Sequence, residues 1–584
     1  MKIKCLTISN WRSIKYLEIE FQDLMIFIGQ NNHGKSNILY ALLFFFGEIK
    51  PQDLDFNSSE QELFVEITFS DLDQTDKTTF KKYLTADGSI RVRKSAYIGG
   101  SFEYRGYIQN PVEECLREVN AFTLLTRDVA KELPFYSLLP ATGRLTKQHI
   151  MDAQAKYIEQ NLSSIAFNFE IEETNFLGLK SVAKGIFGDI YFIPAVKEAT
   201  DEFSSKEAST FGKLYSKIIE SMSANNSDWQ DTKDKLSSLF SMLNRREDPN
   251  RPKELVNFEN EFSEELKAWG AEIDVEFISP NIDDVFRANT QVWINDGVRT
   301  DIRRKGHGLQ RFLIFALIKV SSDKLKAKRA EAAPEQVAPR TASASTYFII
   351  EEPELYLHPQ AQRELFASLV FLSESKNQVV MCTHASALID VERYKSICIV
   401  KKDSDEVGTK VCQCTDDIFT GEKVKNFNLS YWINPDRSEL FFAKRVLLVE
   451  GPTEKTIIPF LANQLDVFRF DHTLVDCGSK ENIPLYCQLL NKFRIPYIAI
   501  YDKDHQAKKV VKEDKGADNS SKRIEDAIEA GIGTSVVFVN DIEEEIGMKK
   551  VGGKNKPFAA FTYVTSPGFT ISDELEAKIK LMYQ

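Results

Sequence analysis

The chain is poor in histidine, in paired cysteines and in long apolar runs, and each shortage excludes something. Its 584 residues hold seven histidines and eight cysteines. Cys412 and Cys414 form a C-x-C, and no C-x-x-C pair exists, which argues against a zinc module. The cysteines read instead as small buried hydrophobes of a reduced compartment. The longest apolar run, Leu39 to Gly47, is far too short to span a bilayer, so no membrane partner is expected. The start, Met1-Lys2-Ile3-Lys4-Cys5-Leu6, lacks the apolar core of a signal peptide, and a cytoplasmic location is the expectation. A positive excess is missing too. The net charge of −12 excludes a broadly basic coat for nucleic acid but not a local basic groove. Hydrophobic residues at 43% and charged residues at 27% are near globular averages, and the length suits about two to four domains.

What is present is an α/β pattern. Residues 3–8 and 17–21 alternate like a hairpin, and Leu24-Met25-Ile26-Phe27-Ile28 reads as a buried strand. A glycine loop and an apolar helix over about Ser36 to Phe46 follow. Residues 62–69 alternate as a further strand, residues 105–185 are mixed with helical stretches, and Tyr191-Phe192-Ile193 is a short strand stopped by Pro194. Residues 205–270 carry apolar positions at helical spacing (Leu214, Ile218, Met222; Leu236, Leu239, Phe240, Leu243). They predict a helical insertion, about 200–275, that serves either as a dimer surface or as packing within one chain. Residues 323–345, rich in Ala, Lys, Glu, Ser and Pro, predict a mobile surface loop. Tyr347–Ile350 and Gln378–Thr383 are two more buried strands, 401–440 reads as a connector, and a fresh α/β pattern begins at Arg445.

Gly29-Gln30-Asn31-Asn32-His33-Gly34-Lys35-Ser36 fits G-x-x-x-x-G-K-S between a predicted strand and a predicted helix, the context this phosphate loop requires. Loop N–H groups would cradle phosphate, Lys35 would reach the β- and γ-oxygens, and Ser36 would hold Mg²⁺. About 315 residues later, Tyr347-Phe348-Ile349-Ile350-Glu351-Glu352-Pro353 is an apolar strand ending in two carboxylates. Glu351 sits where an acid completes the magnesium shell, and Glu352 where one orients the attacking water. A third strand ends in Cys382-Thr383-His384, and His384 can contact the γ-phosphate.

These segments resemble the SMC/RecF branch of ABC ATPases. The match rests on Ile8-Ser9-Asn10-Trp11-Arg12-Ser13, the phosphate loop with its trailing Asn37, Glu351-Glu352-Pro353-Glu354 with Leu357-His358-Pro359, and Thr383-His384. The resemblance implies that Arg12, Asn32, Gly34 and Asn37 join Lys35 and Ser36 around ATP. It also implies a signature loop that meets ATP across a dimer. Its match here is Lys305-Gly306-His307-Gly308-Leu309-Gln310-Arg311, with Gly306, Gly308 and Gln310 as the contacting residues. No serine precedes these glycines, a departure from the L-S-G-G-Q form.

Further on, Arg445-Val446-Leu447-Leu448-Val449-Glu450-Gly451-Pro452-Thr453-Glu454 is a strand, a glycine turn and two glutamates four apart. Tyr497-Ile498-Ala499-Ile500-Tyr501-Asp502-Lys503-Asp504 is a second strand ending in D-x-D, whose acids point the same way on extended chain. Such carboxylates at neighbouring strand ends suit one or two hard divalent cations, which can activate water for phosphodiester cleavage. Val536-Val537-Phe538-Val539 leads to Glu543, a further ligand or a solvated acidic helix start. Lys549, Lys550, Lys554 and Lys556 offer a cation for the scissile phosphate, with a solvated basic loop as the alternative. Lys503, Lys508, Lys509, Lys512, Lys515, Lys522 and Arg523 add positive charge near the acids, where a DNA backbone would need it.

The E-G-x-x-E and D-x-D pair resembles the Toprim fold. An ATPase followed by Toprim, with Glu439-Leu440-Phe441-Phe442-Ala443-Lys444-Arg445 at the joint, resembles the OLD (overcoming lysogenisation defect) nucleases. The implied architecture is an SMC/RecF-like ABC ATPase over 1–400 with the helical insertion, the connector 401–440, and a Rossmann-like Toprim domain over 441–584. The resemblance implies that Glu450, Glu454, Asp502, Asp504 and Glu543 bind Mg²⁺ or Mn²⁺, and that Lys556, which precedes Pro557, is the essential lysine. It further implies a DNA endonuclease in anti-phage defence, a homodimer or homotetramer through the ATPase region, and retron- or Gabija-like partners. Those partners are a retron reverse transcriptase with its RNA/DNA, or a UvrD-like helicase. The competing reading is an ATP-gated, non-catalytic DNA-binding scaffold of the RecF type.

Overall fold

The computed structural model describes the chain apart from residues 60–61, 162–163, 180–181, 183–184, 196–214, 217, 220, 224–225, 246–247, 279, 289–292, 315, 317–342, 344, 375–376, 405, 419–434, 504–510 and 549–554, and the side chains of 284, 287–288, 303, 391, 435–437 and 511–515. The segment expected as a mobile loop, 323–345, lies almost wholly outside the described residues. Two compact units form. One comprises Met1–Ile190, Glu335–Glu354 and Leu369–Gln584; the other comprises Tyr191–Pro334 and Leu355–Ser368.

The first unit holds three sheets. One is antiparallel, in the order Ile14–Glu20, Lys2–Trp11, Leu63–Ser70, Ile90–Ala96, Phe102–Pro111, Phe167–Ile171. The expected hairpin and the strand at 62–69 are its first three members. Alternation along Leu63–Ser70 sends Leu63, Val65, Ile67 and Phe69 into the core. The strands Phe102–Pro111 and Phe167–Ile171 lie in the region read as mixed. Their outward faces are largely exposed and their alternation is irregular, so sequence period gave no clear strand signal.

The second sheet places Leu24–Ile28 between Asn377–Cys382 and Ile397–Lys402, with Thr346–Glu351 beyond Asn377–Cys382, all four parallel. Thr409–Gln413 adds an antiparallel edge, so this sheet extends into the segment read as a connector. At the other edge Asp189, which opens the strand Asp189–Ile193, donates its N–H to Ser345 O at 2.9 Å. Between the two sheets runs the helix Lys35–Phe45, apolar and buried beyond its polar first turn. Phe44 stacks on Trp11 at 5.5 Å on one side, and Phe46, just past the helix, meets Tyr347 at 4.9 Å on the other.

The third sheet is parallel, in the order His472–Asp476, Arg445–Val449, Tyr497–Asp502, Gly533–Phe538. Helices Pro452–Gln464, Lys556–Val564 and Asp573–Tyr583 cover it through a core of Val449, Ile457, Ile500, Phe538, Ile542 and Leu575. The second unit carries the expected helices, Ser227–Asn244 and Lys253–Leu266. Arg251 and Glu259 form a buried two-pronged ion pair there, at 2.6 and 2.7 Å. Among the described residues no helix is long and apolar enough to cross a membrane.

Candidate functional site

Parallel strands present their C-terminal ends at one edge, which is where open α/β sheets bind ligands. In the second sheet Phe27 pairs with Cys382, and Cys382 with Glu351. The phosphate loop, the acid pair and Thr383-His384 therefore leave the sheet side by side. Gly29 (φ +144°) has no room for a Cβ, which would strike Val400 O. At Gly34 (φ +100°) a Cβ would strike Thr409 Oγ1 and come within 2.9 Å of Ser13 Oγ. Glycine is required at both turns.

Lys35 is 6% exposed and donates to Gly29 O and Gln30 O at 3.0 and 3.1 Å. Burial holds its ammonium below the usual lysine range, against the pull of Glu352. Glu352 adopts a left-handed backbone (φ +45°), and its N–H donates to Cys382 O at 3.0 Å. Burial first, then the adjacent Glu354, push its carboxyl up to about 8. His384 Nε2 lies 3.3 Å from Glu352 Oε1, and His384 N–H donates to Glu354 Oε1 at 2.6 Å. Burial, then Lys35, lower the imidazole. Lys35, Glu352, Glu354 and His384 thus share one electrostatic environment, with Glu351 at the neighbouring strand end.

Arg12 (φ +49°) donates from Nε to Asp55 at 2.8 Å and from a terminal nitrogen to Asn37 Oδ1 at 3.3 Å, and covers the Tyr40 ring at 4.7 Å. Asn37 Nδ2 donates to Ser13 Oγ at 2.8 Å. Asn32 (φ +64°) is exposed on the loop, and Ser36 is half-buried in the first helical turn. The set fits a nucleotide phosphate: a tight glycine cradle, a buried lysine, and acids at the end of the second strand over.

Gly306, Gly308 and Gln310 lie in the second unit. The helix begins at His307, so Gly308 and Gln310 lie inside it, ahead of the start expected near Phe312. A Cβ at Gly308 would meet Tyr356 O at 2.7 Å, and Gln310, buried, donates to Ile302 O at 2.9 Å and to Lys305 O at 2.5 Å. Its amide nitrogen ties its own loop.

In the third sheet Glu450 follows its strand, and its Oε1 accepts the N–H of Asp502 at 2.8 Å. Glu454, in the first turn after Gly451, is 7% exposed. Burial first, then Glu450 and Glu543, push its carboxyl up to about 7. Glu543 is buried, and Lys556 Nζ stands 3.2 Å from its Oε1. Burial pulls the Lys556 ammonium down, but Glu543, Asp541 and Glu454 together raise it. The structure therefore brings Glu450, Glu454, Glu543 and Lys556 together beside the Asp502 backbone. Asp504, Lys549, Lys550, Lys554, Lys508 and Lys509, and the side chains of Lys512 and Lys515, fall outside the described residues. Lys503 and Lys522 are exposed, and Arg523 pairs with Glu481. Among the described residues no three His, Cys, Asp or Glu side chains stand at the spacing of a closed metal site. In donor chemistry the set still fits a hard divalent ion. It is all carboxylate oxygen, with Glu450 and Glu543 close enough to add to the burial that raises Glu454.

Sequence reading missed Glu354, Ser13, Thr409 and Lys480. Thr409 Oγ1 contacts Ser13 Oγ at 2.7 Å and donates to His33 O at 2.9 Å, bracing the phosphate loop from 376 residues away. Glu354 was legible as the second acid of Glu-Pro-Glu. Lys480 was legible only as the end of a strand-and-glycine turn, Asp476-Cys477-Gly478-Ser479-Lys480.

Comparison with known proteins follows the same division. Residues 1–389 match the AAA ATPase domain family, and residues 441–504 match the TOPRIM domain of overcoming lysogenization defect protein-like proteins. The chain is 24% identical to the Old nuclease of Escherichia phage P2, over 80% of this chain and 70% of that protein. It is 31% identical to the OLD nuclease of Thermus scotoductus, over 36% of this chain and 42% of that one. It is 28% identical to the Endonuclease GajA of Bacillus cereus, over 26% of each. It thus spans less than half the length of the last two.

Proposed function

The chain belongs to the AAA ATPase domain family and joins that domain to an OLD-like Toprim domain, and we propose that it is an ATP-binding and ATP-hydrolysing, divalent-metal-dependent DNA endonuclease. The observation that carries this reading is the gathering of Glu450, Glu454 and Glu543 with Lys556 at the ends of parallel strands. That the substrate is a nucleic acid comes from the relatives, whose names are nuclease and endonuclease.

In this reading Glu450, Glu454, Asp502, Asp504 and Glu543 would hold Mg²⁺ or Mn²⁺. The bound ion supplies an activated water and a stabilised leaving oxygen. Lys556 leaves Glu543 to neutralise charge building on the scissile phosphate. Exposed Lys503 and Lys522 offer contacts for the DNA backbone. In the nucleotide site Lys35 holds the β- and γ-oxygens, and Ser36 and Glu351 hold Mg²⁺. Arg12, Asn32, Gly34 and Asn37 would shape the pocket, His384 would face the γ-phosphate, and Glu352 would orient the attacking water. Gly306, Gly308 and Gln310 meet the nucleotide of a second copy, which requires a homodimer or homotetramer through the ATPase region. The cellular role that suits this pair of activities is an anti-phage effector, alone or with a retron reverse transcriptase or a UvrD-like helicase.

The test is plasmid DNA incubated with purified protein under Mg²⁺, Mn²⁺ and Ca²⁺, with and without ATP. Metal-dependent nicking or linearisation, lost in Glu450→Ala, supports the reading. The competing reading is an ATP-gated, non-catalytic DNA-binding scaffold. Nucleotide-dependent DNA binding without cleavage under any of these ions would select it.

A further inference from the structure

The edge strand His472–Asp476 runs beside Arg445–Val449, with Asp476 in register with Val449. Beyond it the chain turns tightly. Gly478 (φ +75°) donates its N–H to Asp476 Oδ1 at 2.7 Å, Asn482 Nδ2 donates to Cys477 O at 2.8 Å, and Ser479 Oγ accepts the N–H of Glu481 at 3.2 Å. The turn drives Lys480 inward. It is 8% exposed, its Nζ donates to the backbone oxygen of Asp502, and its ammonium lies 5.5 Å from the centre of the Tyr501 ring. A buried ammonium is costly to desolvate, so a lysine held by a built turn needs a local return.

That return is at Asp502. Its N–H is taken by Glu450 and its carbonyl by Lys480, so the residue opening the D-x-D is gripped from both sides. We propose that Lys480 is a positioning residue of the metal site. It fixes the backbone from which the D-x-D departs. The inference rests on reading these acids as metal ligands. Groups that orient ligands in this way typically change metal affinity about 10–100-fold when removed.

The experiment uses the full chain and Mn²⁺ alone, with binding read from the paramagnetic resonance signal of free Mn²⁺. Cleavage is titrated with Mn²⁺ in parallel. Lys480→Met and Lys480→Gln should weaken Mn²⁺ binding about tenfold or more and shift the half-activating concentration by the same factor. Their cleavage rate at saturating Mn²⁺ should stay within about threefold of wild type. Lys480→Arg, which keeps charge and donor, should restore binding to within about threefold. Should Lys480→Met fail to fold, Gln against Arg makes the same comparison. Wild-type Mn²⁺ affinity in Lys480→Gln overturns the positioning role and leaves the metal site standing. Absence of Mn²⁺ binding by the wild-type chain overturns both.

Discussion

The nucleotide site and the acid site occupy equivalent places, the carboxyl ends of parallel strands, yet they are built from different materials. The first is made by backbone. Two glycines turn where no side chain fits, and Lys35 rests on the carbonyls of its own loop. The second is made by charged side chains in a buried place, where burial first and then Glu450 and Glu543 push Glu454 up to about 7. A backbone cradle holds its shape through conformational restriction. A carboxylate cluster is settled by counter-charge, here Lys556 against Glu543.

The sharpest way to break this comparison is to remove one member of each site. Glu450→Ala deletes both a proposed ligand and the acceptor of the Asp502 N–H, and should reduce metal-dependent cleavage at least about a hundredfold. Nucleotide-analogue affinity should be unchanged, and a parallel fall would show that the two sites are not separable. Gly34→Ala is the reciprocal change. Its Cβ would strike Thr409 and Ser13 at a φ of +100°, a strain of about 1–3 kcal/mol, so nucleotide affinity should fall roughly tenfold or more while Mn²⁺ binding persists. Unaltered affinity in a nucleotide titration would mean that the loop yields and the cradle is not rigid.

The same contrast explains what could be read from sequence. The phosphate loop and the acid strands are local patterns, each within about ten residues, and both stood out. Their braces are not local. Ser13 and Thr409 touch across 396 residues, and a lone threonine on an edge strand carries no mark of it. Lys480 belongs to a turn that sequence shows, but its inward aim depends on the neighbouring strand. The strands Phe102–Pro111 and Phe167–Ile171 were missed because half-exposed strands blur the two-residue period. Gln310 Nε2 ties Ile302 O and Lys305 O of its own loop, a contact that no local pattern marks.

Thr409→Val tests the longest of these braces. Thr409 is buried and holds both Ser13 Oγ and His33 O, so losing its hydroxyl should cost about 1 kcal/mol and lower nucleotide affinity about three- to fivefold. Full affinity in the variant would confine the bracing to Gly34 and Val400.

The smallest effect concerns the far end of the phosphate-loop helix. Lys94, 2% exposed, donates to Phe44 O at 2.6 Å among the rings of Phe44, Phe102 and Tyr104, and burial lowers its ammonium to about 7. In the unfolded chain a lysine titrates near 10.4. Between these values the unfolded state binds one more proton than the native state, so the lysine's contribution to stability rises as pH climbs from about 7 toward 10. Below 7 both states are protonated and the native state bears the full cost of a buried charge. In Lys94→Met this dependence disappears. The thermal midpoint of wild type relative to the variant should therefore move in wild type's favour by about a few degrees between pH 6.5 and pH 9. A gap that stays constant over that interval would show that Lys94 remains charged in its aromatic surroundings. The C-terminal carbonyls of the helix would then compensate its burial, as the loop carbonyls do for Lys35 at the other end.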